Sequence, residues 1–237
     1  MKINKKYLSF YYQDMEEIPD IVLDPKKTAL LIVDMQKEFI SREIGESILY
    51  KSRGEWERWI PFHDRLDDIV IPNTVRLLNC FRKNEMLVTF GRIACLLKNG
   101  EDRSSVQKTE GWNGIFLHVD SVEAQMVDEL APLPEEIVVN KTTDSVLAGT
   151  NYGMLMKNIG IDTIIVTGIV TDQCVAGTIR SLADAGFKVI CVEDCCAAPD
   201  IKLHDDELRI MNIIYCNVLS TDETLTVLKR NLEAVET

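Results

Sequence analysis

Three side chains that can together cleave a carbonyl compound lie at the ends of three separate apolar runs. Asp34 can act as a base, Lys141 as a cation and Cys174 as a nucleophile. Singly, each has a commoner structural explanation: a loop or cap aspartate, a solvated lysine, and a small core cysteine. Because each follows a run typical of a buried strand, we expect all three at the ligand-binding edge of one parallel sheet. Together they predict a nucleophilic site.

The sequence around Cys174 predicts a strand, a sharp turn and the start of a helix. A β-branched apolar run begins at Thr163 and ends at Gly168, and Thr171 and Asp172 offer side chains that can cap a helix. Cys174 is then expected in the first helical turn. Free N–H groups and the helix dipole lower the pKa of a thiol at that position. The placement favours the reactive thiolate.

Apolar runs alternate with helical patterns along most of the chain, which predicts an α/β fold. The expected architecture is one doubly wound parallel sheet of about six strands, with helices on both faces. No Gly-x-Gly-x-x-Gly follows the first strand and no Walker sequence is present, so no nucleotide cofactor is expected. The strands are expected at 29–33, 86–90, 136–140, from 163 onward, 188–192 and 214–219. The helices are expected from about Pro72, around 121–130, over 151–159 between Thr150 and Gly160, after Cys174, over about 204–213, and from 220 to about 232.

Two segments lie outside this alternation. Residues 1–27 form a polar N-terminal extension with several aromatic side chains, and residues 28–237 are expected to form a single domain. Within that domain, residues 37–67 carry aromatic side chains among charges, which argues against disorder. We expect this segment to be a lid or a subunit contact. The extension is expected to wrap over the surface or to pack on a neighbouring subunit.

Composition and charge argue against several classes of function. A formal net charge of −12 opposes binding to nucleic acid or to an anionic membrane surface. The apolar runs are too short to span a membrane, and the N-terminus lacks the apolar core of a signal peptide. The seven cysteines are therefore expected to be reduced thiols in a cytoplasmic protein. Their spacing predicts no metal site, and the adjacent Cys195 and Cys196 are expected to pack rather than to form a redox pair.

Three blocks in this order resemble the isochorismatase-like cysteine hydrolases. Residues 31–36 read Leu-Ile-Val-Asp-Met-Gln, residues 140–142 read Asn-Lys-Thr, and residues 168–175 read Gly-Ile-Val-Thr-Asp-Gln-Cys-Val. Ser145 and Thr150 follow the second block, and residues 193–197 resemble the acidic segment after the family's fifth strand. The resemblance covers residues 28 to about 222. It implies a six-stranded Rossmann-like sheet in the order 3-2-1-4-5-6 and a homo-oligomer, usually a dimer or tetramer.

The same resemblance assigns roles to the site residues. Cys174 would attack a carbonyl carbon, Asp34 would take the thiol proton and pass it to the leaving nitrogen, and Lys141 would hold Asp34 ionised. The backbone N–H groups of Val170 and Cys174 would form an oxyanion hole, beside a cis bond between Ile169 and Val170. The covalent intermediate would be a thioester or an S-carbamoyl adduct.

Two departures from family patterns narrow the expected reaction. The histidines His63, His118 and His204 are scattered, so the Asp-x-His metal site of family nicotinamidases is absent from the sequence. True isochorismatases cleave a vinyl ether and lack the nucleophilic cysteine, so Cys174 favours hydrolysis of a C–N bond in a small amide or ureide. Alternatives are an isochorismatase-type or other small-molecule hydrolase, or a non-catalytic regulatory member of the same fold.

Five further side chains are expected to contact the substrate. The Arg92 guanidinium would pair with a substrate carboxylate, the alternative being an ordinary surface arginine. The two amides would bind a carbonyl or amino group, and the aromatic rings would line the pocket together with Trp59. The five residues are Gln36, Phe39, Arg92, Trp112 and Gln173.

Overall fold

The computed structural model describes residues 5–110 and 114–234, and its centre is a six-stranded parallel sheet. The strand order is β3-β2-β1-β4-β5-β6, which confirms the predicted doubly wound α/β fold. The strands are β1 (Thr28–Val33), β2 (Leu87–Ile93), β3 (Ile137–Lys141), β4 (Thr163–Ile169), β5 (Lys188–Ala197) and β6 (Asn217–Leu219). The described helices are α1 (Lys37–Ile40), α2 (Glu46–Ser52), α3 (Trp56–Arg65), α4 (Ile71–Lys83), α5 (Ser105–Lys108), α6 (Tyr152–Ile159), α7 (Ala176–Asp184), α8 (Ile201–Met211) and α9 (Thr221–Glu233).

Strand β1 lies at the centre of the sheet, between β2 and β4. All six of its side chains are buried, because helices cover both faces of the sheet. Leu30 and Ile32 pack into one core with residues of α3, α4 and α9. Leu31 and Val33 pack into a second core with residues of α6, α7 and α8. Burial on both faces explains why the strand is continuously apolar rather than alternating.

Gly168 allows β4 to pass close to β1 where the two strands end. Its φ is +119°, and a Cβ at this position would lie 2.0 Å from the carbonyl oxygen of Val33. Only glycine tolerates this combination of backbone angle and close approach. The close approach brings the chain after β4 next to the chain after β1, where Asp34 follows Val33 directly.

The helix predicted from about Pro72 is observed as α4, which begins at Ile71, but it continues a longer helical stretch that begins at Trp56. Helix α3 continues through a π-helical turn (Leu66–Val70) directly into α4. Pro72 lies in the first turn of α4, just after the π-helical turn has interrupted the regular hydrogen-bond ladder. Burial of Phe62, Leu66 and Val70 against the sheet stabilises the helix in spite of the proline.

Other predicted boundaries also shift. Strand β5 does not end at Val192 but continues to Ala197, so Cys195 and Cys196 are buried strand residues. A register shift in its pairing with β4, between Val166 and Gly168, accommodates the extra length. The helix expected around 121–130 is reduced to one 3₁₀ turn (Asp128–Leu130), and β6 is shorter than predicted. Both differences concern short segments whose ends are not defined by hydrophobic periodicity.

The described part of the N-terminal extension folds back onto its own domain. Tyr7 is 1% exposed and belongs to the core between the sheet and α8. Its hydroxyl donates to Glu193 Oε2 at 3.3 Å, and its carbonyl accepts from Asn212 Nδ2 at 3.1 Å. Among the residues described, no helix is long and apolar enough to cross a membrane.

Candidate active site

The carboxyl ends of β1, β3 and β4 bring Asp34, Lys141 and Cys174 into contact. Lys141 Nζ donates to Asp34 Oδ2 at 2.7 Å and to Cys174 Sγ at 3.4 Å. The carbonyl of Thr143 accepts a third hydrogen bond from the same ammonium at 3.0 Å. Lysine therefore sits between the carboxylate and the sulfur and is held there by three acceptors. The predicted juxtaposition of the three side chains is observed, although their catalytic roles stay predictions.

All three side chains are buried, so their charges act on one another with little screening by water. Burial raises the pKa of Asp34, and the Lys141 ammonium opposes that rise. Attraction to Asp34 and to the Cys174 sulfur keeps the pKa of Lys141 above its ordinary value in spite of burial. Asp34 Oδ2 is occupied by Lys141, whereas Oδ1 is buried without a hydrogen-bond partner in the described parts of the chain. Asp34 also lies within hydrogen-bond reach of Cys174, whose thiol donates to Asp144 Oδ1 at 3.8 Å.

The expected activation of the resting thiol by the helix N-terminus is not what the structure gives. Burial and the Asp34 carboxylate together raise the pKa of Cys174 well above its ordinary value, and Lys141 only partly offsets this. A buried site next to a carboxylate penalises a second negative charge more than one helix end can compensate.

The turn that carries Cys174 is a π-helical segment (Thr171–Val175) between β4 and α7. The expected capping by Thr171 or Asp172 is wrong, because no side chain caps this segment and its N-cap position is Val170. Thr171 Oγ1 instead lies 2.8 Å from His204 Nδ1, in a buried contact with α8. The turn is thus fixed from behind by α8 rather than by a local cap.

A cavity of about 200 Å³ opens over Cys174 and Asp34. Phe39 and Gln173 line it, as the sequence predicted, and so does Trp59. Val170 and Cys174 both border the cavity, and the Ile169–Val170 peptide bond is cis. The oxyanion role of these two backbone N–H groups stays a prediction. The full lining is Asp34, Phe39, Glu46, Tyr50, Trp59, Phe62, Ile93, Ile115, Ile169, Val170, Gln173, Cys174 and Pro199.

Two expected substrate contacts are internal contacts instead. The Arg92 guanidinium donates to Asn140 Oδ1 and to Gln125 Oε1, each at 2.7 Å, and Arg92 does not line the cavity. The buried Gln36 amide joins the backbone of Ile93 to the loop carbonyl of Ala124. Both predictions are corrected because neighbouring strands and loops satisfy these polar groups. Trp112 lies outside the described residues.

Several cavity residues were missed by the sequence analysis, above all Glu46 and Tyr50. Both belong to α2, within the segment that we interpreted as a lid or subunit contact. Their spacing of four residues places them on one face of that helix. A helical pattern over residues 46–52 is the sequence signal by which these two residues could have been found.

The three histidines do not meet at the site. His63 contacts the carbonyl of Ile40, His118 lies near the carbonyl of Leu96, and His204 contacts Thr171 in the turn that carries Cys174. Across residues 5–110 and 114–234, no group of three or more His, Cys, Asp or Glu side chains is arranged to hold a metal ion.

A parallel α/β sheet with a cysteine, a lysine and an aspartate in contact at its carboxyl edge defines a class of cysteine hydrolases. The chain belongs to the isochorismatase family, because the model of the Isochorismatase domain matches residues 28–223. The family relationship makes it an isochorismatase-like hydrolase and confirms the resemblance seen in the sequence.

Individual relatives are distant. Streptothricin hydrolase from Streptomyces noursei is 29% identical over 178 residues, covering 73% of this chain and 55% of that protein. N-carbamoylsarcosine amidase from Arthrobacter sp. is 29% identical over 127 residues, covering 52% of this chain and 47% of that protein. A cysteine hydrolase structure from Pseudomonas syringae pv. phaseolicola 1448A superposes with a TM-score of 0.72 at 23% identity, over 90% of this chain and 97% of that chain. At this identity the structural match shows the fold alone.

Proposed function

We propose that the protein hydrolyses the C–N bond of a small amide or ureide, with Cys174 as the nucleophile. One observation carries the proposal: Lys141 Nζ contacts both Asp34 Oδ2 and Cys174 Sγ at the floor of a cavity. A nucleophile, a base and a fixed cation are the parts that acyl transfer requires. The names of two relatives, an amidase for N-carbamoylsarcosine and a hydrolase for streptothricin, support a carbonyl substrate.

The first half of the proposed reaction forms a covalent intermediate. Asp34 accepts the Cys174 proton as Sγ forms a bond to the carbonyl carbon, and the carbonyl oxygen takes up the electron pair. Asp34 then gives that proton to the leaving nitrogen as the C–N bond breaks. The products are ammonia or an amine, and a thioester or S-carbamoyl adduct of Cys174.

The second half releases the acyl group. Asp34, again a carboxylate, takes a proton from a water molecule whose oxygen attacks the same carbonyl carbon. The C–S bond breaks, and the proton on Asp34 returns to the sulfur. Lys141 stays positively charged throughout and stabilises whichever of its two neighbours carries the negative charge.

The volume of the cavity bears on the size of the substrate. About 200 Å³ is less than the roughly 300–1,000 Å³ that encloses drug-sized ligands. A compact amide or ureide, or the amide end of a larger molecule, fits such a space.

The deciding experiment measures ammonia release from a panel of amides and ureides by the wild type and by Cys174→Ala. The panel contains biuret, ureidoacrylate, N-carbamoyl amino acids, maleamate and nicotinamide, each with and without a chelator. We expect turnover that survives the chelator and is lost in Cys174→Ala. Cys80→Ala, which removes a partly exposed thiol outside the cavity, is the matched control and should keep the activity. Turnover that survives in Cys174→Ala would remove the thiol from the mechanism.

A further inference from the structure

The charges around the cavity are unevenly balanced. Asp34 and Glu46 are the charged side chains in its described lining, and both are acidic. Asp34 is neutralised by its ion pair with Lys141. Glu46 makes no ion pair in the parts of the chain that the structure describes, and its carboxylate accepts a hydrogen bond from Tyr50. One carboxylate in the wall therefore lacks a cation.

Glu46 is held in place by its own helix. The Tyr50 hydroxyl donates to Glu46 Oε2 at 2.8 Å across one turn of α2. Burial raises the pKa of Glu46 above its ordinary value, and this hydrogen bond opposes the rise. A partly buried carboxylate that has no cation is electrostatically costly, and a bound cation would relieve that cost.

The wall beside Glu46 is aromatic. The rings of Tyr50 and Trp59 stack with centroids 4.2 Å apart and 10° between their planes. Phe62 meets Trp59 edge to face at 5.9 Å, and Phe39 lines the cavity as well. Aromatic faces attract organic cations and do not attract carboxylates. The same wall therefore favours a positively charged ligand group.

A second acidic residue, Glu38, lies near Glu46 but outside the lining of the cavity. Burial and the charges of Glu46 and Glu123 raise the pKa of Glu38 to about 7. The negative charge of Glu46 is thus one cause of the raised pKa of Glu38. The nearby guanidinium expected to receive a carboxylate, Arg92, is bound to Asn140 and Gln125 instead.

We propose that the substrate carries a cationic nitrogen group away from its scissile C–N bond, and that Glu46 and the aromatic wall of Phe39, Tyr50 and Trp59 recognise that group. This inference rests on the proposed C–N hydrolysis and names its substrate class. It differs from the pairing of Arg92 with a substrate carboxylate, because Arg92 is bound to Asn140 and Gln125. Glu46 is a specificity-determining residue here and takes no part in bond cleavage.

The test compares three primary amides of matched length that differ at the far end: 4-aminobutanamide, pentanamide and glutaramate. At about pH 7.5 their far ends are cationic, neutral and anionic. We expect kcat/KM for the cationic amide to exceed that for the neutral one by at least about tenfold, with the anionic amide poorest. In Glu46→Gln, which keeps an acceptor for Tyr50, the cationic-to-neutral ratio should fall by about tenfold. Glu43→Gln removes the same charge from an exposed position and should keep the ratio.

Binding of the same amides to Cys174→Ala, measured by calorimetry, separates this inference from the proposed reaction. One outcome is that the cationic amide binds best, that Glu46→Gln abolishes this preference, and that the wild type turns over none of the amides. This result would support the recognition site and contradict the proposed hydrolysis. Turnover of all three amides without a preference for the cationic one would support the proposed hydrolysis and contradict the recognition site. The inference is also overturned if glutaramate is the best substrate or ligand, or if none of the three binds preferentially. The wild-type ranking decides this even if Glu46→Gln does not fold.

Discussion

Asp34 and Cys174 are placed to exchange one proton without changing the net charge of the site. With the proton on sulfur, the carboxylate is negative. With the proton on Asp34, the thiolate is negative, and Lys141 lies within 3.4 Å of the sulfur and 2.7 Å of the carboxylate oxygen. The buried site thus avoids creating a new charge when the nucleophile forms. A raised pKa of Cys174 is compatible with a fast reaction, because the Asp34 carboxylate is already adjacent.

This arrangement predicts opposite effects of Asp34→Asn on two reactions of the same sulfur. Because the Asp34 carboxylate raises the pKa of Cys174, its removal should lower that pKa and speed alkylation by iodoacetamide. Each unit of lowering gives about tenfold more thiolate at a pH below the pKa. Amide hydrolysis should nevertheless fall by about 10²–10⁴-fold, because the base is gone. Alkylation is followed by mass spectrometry of the peptide that contains Cys174.

Lys141→Met and Cys174→Ala are the matching controls for this experiment. Lys141 lowers the pKa of Cys174, so its replacement should slow both alkylation and hydrolysis. Cys174→Ala measures the background from the other cysteines. Slower alkylation in Asp34→Asn would contradict the shared-proton account.

At the scale of elements, the contact between α1 and α2 shapes the acidic end of the cavity. Gly45 precedes α2 with a φ of +69°, and a Cβ there would lie 2.3 Å from the carbonyl oxygen of Glu38 in α1. This close packing brings Glu38 near Glu46 and leaves part of the Glu38 carboxyl buried. Protonation of Glu38 relieves the repulsion between the two nearby carboxyl groups.

Glu38 should therefore make stability depend on pH in a defined window. Its pKa is about 7 in the folded protein against an ordinary value of 4.5, so the folded state holds the proton more tightly. The stabilisation is complete below the ordinary pKa and is lost as the pH rises to about 7. Glu38→Gln should match the wild type in acid and exceed it by about 1 kcal/mol above neutral pH, a value reduced for partial exposure.

Urea unfolding at a series of pH values measures this difference. Glu43→Gln, with its exposed side chain, is the control and should follow the wild-type curve. A constant difference between Glu38→Gln and the wild type at all pH values would show that Glu38 does not titrate as described.

The sequence carried enough information to predict the positions of Asp34, Lys141 and Cys174. Each lies at or shortly after the carboxyl end of a parallel strand, and parallel strands present their carboxyl ends at one edge. Arg92 also follows this pattern, yet its partner Gln125 lies in a loop whose conformation has no periodic signal. The raised pKa of Cys174 depends on burial and on the distance to Asp34, which are properties of the folded molecule.

At the scale of the whole molecule, the N-terminal extension is connected to the back of the catalytic turn. Tyr7 donates to Glu193, whose backbone carbonyl accepts from Arg65 at 3.2 Å. The Arg65 guanidinium also lies 3.2 Å from His204 Nε2, and the other ring nitrogen of His204 contacts Thr171. The His204 ring also forms a hydrogen bond with the Glu193 carboxylate. Buried polar contacts thus join the extension, β5, α8 and the turn that holds Cys174.

The extension should accordingly contribute to global stability through Tyr7. Tyr7→Ala removes a fully buried ring and should cost about 3 kcal/mol, or roughly 6–12 °C in Tm for a chain of this size. Tyr7→Phe loses only hydrogen bonds and should cost about 1 kcal/mol. Tyr11→Ala is the matched control, because Tyr11 belongs to the same extension but is 85% exposed, and its Tm should not change. Thermal unfolding followed by circular dichroism measures the two Tm values. Equal Tm values for Tyr7→Ala and Tyr11→Ala would mean that the extension is not part of the folded unit. A lower Tm for Tyr7→Ala alone would make residues 5–27 a structural part of the domain that carries the site.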